Sequence, residues 1–392
     1  MKQIKTIFFI AIFLSELCLV AQHSLDSLLY HVENSNSVLI AAQNLLESRK
    51  LNFRTGITPS NPEVEFGYMW GKPDELGNRI DFAVTQLFDF PTAYTTRSKL
   101  SKINLQQAEL EYKATYQEIM MNAHHAWVSR VYMNNLESLL SERLSYAMKV
   151  FEGYERKLET GEANLLQVNQ ARMKVMALEN EINLLQREFS KNSAEILSLT
   201  GNQNIHIADK VFPDSFPITL DSLLSDYSEG YLNQLYETEV DKKSKEVDVI
   251  FNQKLPKLKA GYYSESILNS NLRGIKAGIT IPLWGDARAV NNAKAKLVYA
   301  ESDADSYWQL KQNELFQKYE QWVYLKEHVM DMEELLVVSN NEVLLRQAME
   351  AGEISLTQYF YESDFYFQNV LNLFEFKKEM LLLEVDLRKV YY

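Results

Sequence analysis

The chain has 392 residues, of which 46% are hydrophobic and 24% charged, a balance that excludes wholesale disorder. Its formal charge of −13 argues against nucleic acid as a partner, because phosphate binding needs a basic footprint. A single cysteine, Cys18, excludes a disulfide framework and any cysteine-based metal site, and 13 Gly with 8 Pro make a turn-rich architecture unlikely.

Lys2 and Lys5 precede an apolar run from Ile7 to Leu14, and Leu19-Val20-Ala21 ends it on a small residue. That is the layout of a secretory signal peptide over residues 1–21, cleaved after Ala21. A lipoprotein signal wants a small residue just before the cysteine, and Leu17 stands there instead. Cleavage removes Lys2, Lys5 and Glu16 and leaves the mature chain at −14. The mature chain holds no run of 18 apolar residues, so no membrane-spanning helix is expected.

The elements follow in order: a helix near 24–50, strands near 62–70 and 80–90, a long helix near 92–160, and a helix near 162–199. The same succession returns as a helix near 222–250, strands near 255–263 and 274–282, and helices near 285–350 and 353–391. In the first strand pair Val64, Phe66, Tyr68 and Trp70 alternate with Glu63, Glu65, Gly67 and Met69, and Ile80, Phe82 and Val84 alternate with Asp81, Ala83 and Thr85. Later Ile275, Ala277, Ile279 and Ile281 alternate with Lys276, Gly278 and Thr280. Strands of about ten residues with one apolar and one polar face fit a membrane barrel with a wet lumen, with Tyr68 and Trp70 at an interfacial girdle. A soluble half-buried hairpin has the same alternation, and the signal peptide favours the barrel. Val64, Phe66, Tyr68, Trp70, Phe82 and Val84 are then the lipid-facing set.

The long helices read as coiled coil. Leu140, Leu144, Ala147, Phe151, Tyr154 and Leu158 form one seam, and Val168, Ala171, Val175, Leu178, Ile182, Leu185 and Phe189 form another. Both step by 3 and 4, a period of about 3.5 residues. Gly161 between them ends one helix and reverses the chain, giving an antiparallel hairpin. Leu356, Phe360, Phe367, Val370, Phe374 and Leu381 give a more aromatic stripe in the second half.

Three landmarks repeat. Gly161-Glu162-Ala163-Asn164-Leu165-Leu166-Gln167 matches Gly352-Glu353-Ile354-Ser355-Leu356-Thr357-Gln358 at an offset of 191. Pro91 and Arg97 return as Pro282 and Arg288 at 191, and Pro62 and Gly67 as Pro256 and Gly261 at 194. The chain therefore divides into a first repeat over 22–210 and a second over 211–392. At about 1.5 Å per residue the helix 92–160 spans roughly 100 Å, and 162–199 covers about 57 Å. Stacking 222–250 after 162–199, and 24–50 after 353–391, returns the chain over the same distance and makes a hollow rod. Four strands per chain close no barrel, whereas three chains supply twelve, so a homotrimer is expected.

Signal peptide, tandem units, paired strands before a very long helix and a glycine at each helical turn together resemble the outer-membrane efflux protein (TolC) family over nearly the whole mature chain. Asn61-Pro62-Glu63-Val64-Glu65, Gln86-Leu87-Phe88-Asp89-Phe90-Pro91, Arg97 and the helix start after Ile281-Pro282-Leu283 are similar to the CzcC-like heavy-metal branch. The resemblance implies a mainly α fold with a small β part: a coiled-coil helical barrel in the periplasm on a trimeric twelve-stranded barrel in outer-membrane lipid. It implies an exit duct without cofactor or catalysis, docked to a periplasmic adaptor (membrane fusion protein) and an inner-membrane pump of the RND type, which supplies energy and most of the cargo choice. It places the adaptor-docking tip at Gly161, Glu162, Leu165, Gly352, Glu353 and Leu356.

The family's Asp, Tyr and Arg gate positions fall here on Gln167, Met349 and Ile354, so a charged gate of that kind is not expected. Glu162, Glu353, Glu362 and Asp364, beside Gln167, instead suggest an acidic entrance ring, which favours cations. The histidines, His23, His31, His124, His125, His206 and His328, show no metal-ligand spacing, and neither a phosphate loop nor a GxSxG elbow is present. An enzyme is not expected. The alternative is a periplasmic coiled-coil adaptor or structural protein that binds partners without conducting, although the lipoyl-like and β-barrel modules of an adaptor are missing.

Overall fold

The computed structural model describes residues 24–53, 57–72, 77–267, 270–282, 287–339 and 341–392. The expected signal segment 1–21, with Cys18, lies outside them. Helix α1 covers 24–35 and α2 Ser37–Asn52, followed by strands β1 (Glu63–Met69) and β2 (Arg79–Phe88). Helices α3 (Pro91–Glu159), α4 (Leu165–Leu199), α5 (Leu220–Ser228) and α6 (Tyr231–Asn252) come next. Strands β3 (Lys257–Ile267) and β4 (Ser270–Thr280) precede α7 (Ala287–Ser339), α8 (Asn341–Glu350) and α9 (Leu356–Leu387), and a 3₁₀ turn spans Lys389–Tyr391.

Three boundaries differ from the sequence expectation. The helix expected over 222–250 is broken into α5 and α6, because Gly230 takes an extended conformation and starts α6 as its N-cap. The second strand pair is longer than expected and runs to Ile267 and Ser270, since an unbroken antiparallel ladder pairs Ser264 with Arg273 and Ser266 with Asn271. The helix expected over 285–350 is described as α7 and α8, with residue 340 outside the described residues.

The chain forms two compact units, each drawing on both sequence repeats. The first takes residues up to Ala41, Thr115–Tyr227 and Gln312–Tyr392. The second takes Ala42–Ala114 and Ser228–Lys311.

In the first unit α3 and α4 form the expected antiparallel hairpin. Leu140, Ala147, Leu178 and Leu185 make its buried seam, with Leu136, Leu144, Val175, Ile182 and Phe189 packed alongside. Leu158, placed in the seam by its spacing, is exposed at the penultimate residue of α3. Trp127 is fully buried, its indole N–H donating to Ser24 Oγ (2.9 Å) and Asp209 Oδ2 (3.0 Å).

The end-to-end stacking is exchanged relative to the expectation. The end of α4 meets the α1–α2 junction, where Asn36 Nδ2 donates to the Leu199 carbonyl (2.9 Å) and Asn36 Oδ1 accepts from the N–H groups of Val38 (2.9 Å) and Leu39 (3.0 Å). Gly201, at φ +63, permits the approach: a Cβ there would stand 2.1 Å from the Ser35 carbonyl oxygen. The end of α9 meets α5 instead, through a 2.8 Å bond from Tyr227 Oη to the Asp386 carbonyl.

The last turns clasp the middle of α3. Gln117 Nε2 donates to the Val390 carbonyl (3.0 Å), Lys389 pairs with Glu118, and the His124 ring meets the Tyr392 hydroxyl. Burial, with His125 and Arg388 nearby, pushes His124 down to about 4. For Asp386 burial alone would raise the carboxyl, but His125 (2.9 Å) and Lys318 (2.8 Å) outweigh it and hold it at about 2. Both folded values lie below the unfolded ones, so both groups stabilise the clasp at neutral pH and lose that contribution on acidification. The His124 contribution fades as pH falls from about 6.5 through about 4, and that of Asp386 from about 3.8 to about 2. The protection factors of amides in 384–392, which correct for the slower intrinsic exchange in acid, are expected to fall from pH 6 to 4, and His124→Gln to flatten that dependence; a pH-independent protection factor would contradict it.

Candidate functional site: helical tips and strand faces

Each helical hairpin of the first unit turns through the same backbone motif. After α3, the Glu162 N–H donates to the Lys157 carbonyl (2.8 Å) and the Gly161 N–H to that of Leu158 (3.1 Å). After α8, the Glu353 N–H donates to Ala348 (2.9 Å) and the Gly352 N–H to Met349 (3.1 Å). These nested bonds are a Schellman ending and require a left-handed residue, met by Gly161 at φ +78 and Gly352 at φ +75. Nothing lies within 4 Å of a Cβ built at either glycine, so conformation rather than space demands glycine there.

The next helix is capped at once. Asn164 Oδ1 accepts from the Gln167 N–H (3.0 Å), and Gln167 Oε1 accepts from the Asn164 N–H (3.0 Å). Ser355 Oγ accepts from the Gln358 N–H (3.2 Å) in the second turn. The 191-residue sequence repeat is thus a repeated turn: stop, left-handed glycine, acid, cap. Thr357 Oγ1 donates to Gln170 Oε1 (3.2 Å), which brings the two turns side by side.

Among the residues assigned to docking, Glu162, Glu353 and Leu165 are exposed. Leu356 is not: it is 2% exposed and packs with Val150 and Ala171, bordered by Met349 and Phe360. The equivalent leucines therefore differ, Leu165 lying 63% exposed on the surface and Leu356 inside the tip core. Leu356 offers no surface for a partner; its part is to hold α9 on the α3–α4 hairpin.

The entrance-ring assignment changes for two of its residues. The Gln167 side chain is committed to the cap of α4. Asp364 is exposed but accepts from Arg143 (2.9 Å) and pairs with Lys174, so it adds no net negative charge. Glu362 is half-buried.

Arg143 and Arg346 were not singled out from the sequence. Arg143 is buried and stacks over Phe367 at 4.3 Å, while Arg346 lies over Tyr146 at 4.6 Å and bonds Glu142 (3.1 Å) and Glu342. They pin α9 and α8 to α3. A basic residue lodged beside Leu140 and Leu144 in an apolar seam was the available clue to Arg143.

In the second unit the four strands form one antiparallel sheet in the order β1-β2-β3-β4. The register pairs Val64 with Val84, Phe66 with Phe82 and Tyr68 with Ile80, then Val84 with Tyr262 and Tyr262 with Ile275. Directly opposed residues share a face, so these side chains make one continuous apolar surface. Trp70 lies one residue past β1, with its ring edge-on to Tyr68 at 5.2 Å.

The opposite face carries Glu63, Glu65, Arg79, Asp81, Lys259, Tyr263, Glu265 and Lys276. The edge strands β1 and β4 are exposed on both faces, whereas toward the turn end of β2 and β3 the exposures invert those of a sheet in water. Phe66 is 71% and Ile275 88% exposed, whereas the Asp81 and Glu265 side chains are 18% and 19% exposed. No described helix is long and apolar enough to cross a membrane.

No protein-family model and no curated protein sequence matches the chain. Solved structures do match. CusC, described for its folding and transmembrane channel formation, is 14% identical, with a TM-score of 0.80 over 94% of this chain and 92% of its own. A membrane protein from Pseudomonas aeruginosa is 15% identical, with a TM-score of 0.77 over 94% and 92%. The CmeC outer membrane channel of Campylobacter jejuni is 15% identical, with a TM-score of 0.75 over 94% and 85%. The mostly helical chain with its four-stranded antiparallel sheet has the TolC-like fold of these outer-membrane channels.

Proposed function

We propose that this chain is an outer-membrane exit duct for efflux, three copies closing a twelve-stranded barrel. One observation carries the reading: on the inner strands β2 and β3 the apolar Ile80, Phe82 and Tyr262 are exposed, while Asp81, Tyr263 and Glu265 on the charged face are half-buried. In water that arrangement exposes Phe66, Phe82, Tyr262 and Ile275 with no return. Against lipid the same face is stabilising, and the polar face lines an aqueous lumen. Val64, Phe66, Tyr68, Trp70, Phe82 and Val84 are the lipid-facing set in this reading.

The two Gly-Glu turns are the periplasmic tip that docks an adaptor, through Gly161, Glu162, Leu165, Gly352 and Glu353, and the adaptor links the duct to an inner-membrane pump of the RND type. Glu162, Glu353 and Glu362 give the entrance its negative charge. The finer cargo reading is metal cations, supported by the acid excess and by the CzcC-like stretches around Pro62 and Pro91. The mass of the protein extracted by detergent from the outer-membrane fraction tests the architecture. A detergent-dependent particle of three chains is expected. A detergent-independent monomer or dimer from the periplasm would overturn the duct and leave the coiled-coil binding protein.

A further inference from the structure

Arg79 is the first residue of β2, and the register sets it beside Met69 and Ile267, the last residues of β1 and β3. It therefore lies at the end of the sheet where both hairpins turn. On the charged face Asp81 and Glu265 are direct cross-strand partners, an arrangement that by itself is repulsive. Arg79 Nε lies 2.9 Å from Asp81 Oδ1 and 3.1 Å from Glu265 Oε1. Its guanidinium also donates to Tyr263 Oη (3.1 Å), which in turn donates to Asp81 (3.2 Å). Lys276 sits over the Tyr263 ring at 4.3 Å. Two carboxylates and two cations thus make a neutral group on the face opposite Phe66 and Ile275.

We propose that Arg79 is a selectivity-determining residue of the duct, cancelling an acidic pair that otherwise makes the turn-end mouth of the barrel cation-selective. The inference rests on the exit-duct reading. In a trimer the mouth holds three such groups. Removing the arginine leaves one uncompensated negative charge in each, three in all, facing a shared lumen. Charges of one sign concentrated around a narrow aqueous path raise the local concentration of counter-ions and lower that of co-ions. At 0.1 M salt, where the screening length is about 10 Å, three added charges are expected to raise the cation-to-anion permeability ratio about threefold or more.

The test is the reversal potential of the purified full-length protein in planar bilayers under a potassium chloride gradient. Three proteins are compared: wild type, Arg79→Gln, and Asp81→Asn with Glu265→Gln. The glutamine variant is expected to shift toward cations and the double variant toward anions. Both shifts should shrink at 1 M salt, where the screening length is about 3 Å. If Arg79→Gln fails to assemble, the double variant carries the test alone. Conducting variants with the wild-type reversal potential would overturn the role of Arg79 while leaving the duct standing. A wild-type protein that conducts nothing would overturn the duct, and this inference with it.

Discussion

Phe66→Lys is expected to abolish stable membrane assembly, whereas Glu65→Lys, one residue away, leaves it near normal. Phe66 is the central residue of the seven in β1, and its side chain shares the open apolar face with Phe82. A lysine facing mid-bilayer lipid costs about 2–4 kcal/mol. In the proposed trimer three chains repeat the change, a loss of about 6–12 kcal/mol, enough to empty the assembled state. Glu65 pairs with Ala83 on the charged face, where another charge meets water. The measurement is the yield of detergent-stable oligomer in the outer-membrane fraction. Equal yields from the two variants would mean that the faces have been assigned to the wrong solvents.

The second large effect separates the two tip leucines. Leu356→Ala is expected to destabilise the packing of α9 by about 2–5 kcal/mol, the usual cost of an unfilled core cavity. The neighbours are Val150 and Ala171 on two other helices, which leave little freedom for collapse around the void. Leu165→Ala removes an exposed side chain and is expected to alter stability by less than about 0.5 kcal/mol. In the docking reading it weakens adaptor capture instead. Hydrogen exchange across α9, beside adaptor co-purification, distinguishes the two. Matching stability losses would contradict the assignment of one leucine to the core and the other to the surface.

These leucines also show how far a repeat can be trusted. Gly161-Glu162 and Gly352-Glu353 are legible as equivalent turns because their determinants are local: a left-handed residue, two nested backbone bonds and a polar cap three residues before its partner. What a repeat does not transmit is the neighbour. Leu356 is covered because α9 lies on the α3–α4 hairpin, and nothing within the heptapeptide reports that contact. Asp364 follows the same logic. It reads as a free acid along the chain, and becomes half of an ion pair once Arg143, 221 residues earlier, is brought against it.

The amino-acid sequence by itself determined the helical hairpin seam, the two glycine turns and the alternation of the strands, because each depends on periods of 2 or about 3.5 residues and on short-range hydrogen bonds. Tertiary structure decided which helix end follows which. Stacking α1–α2 on the end of α4 depends on Asn36 meeting Leu199 and Gly201 meeting Ser35, each across more than 160 residues, an approach that the helical periods leave open. It also decided the strand register, and with it the meeting of Asp81, Glu265 and Arg79 on one face. A one-residue slip would have placed those charges on the apolar side, and only the ladder between β2 and β3 excludes it.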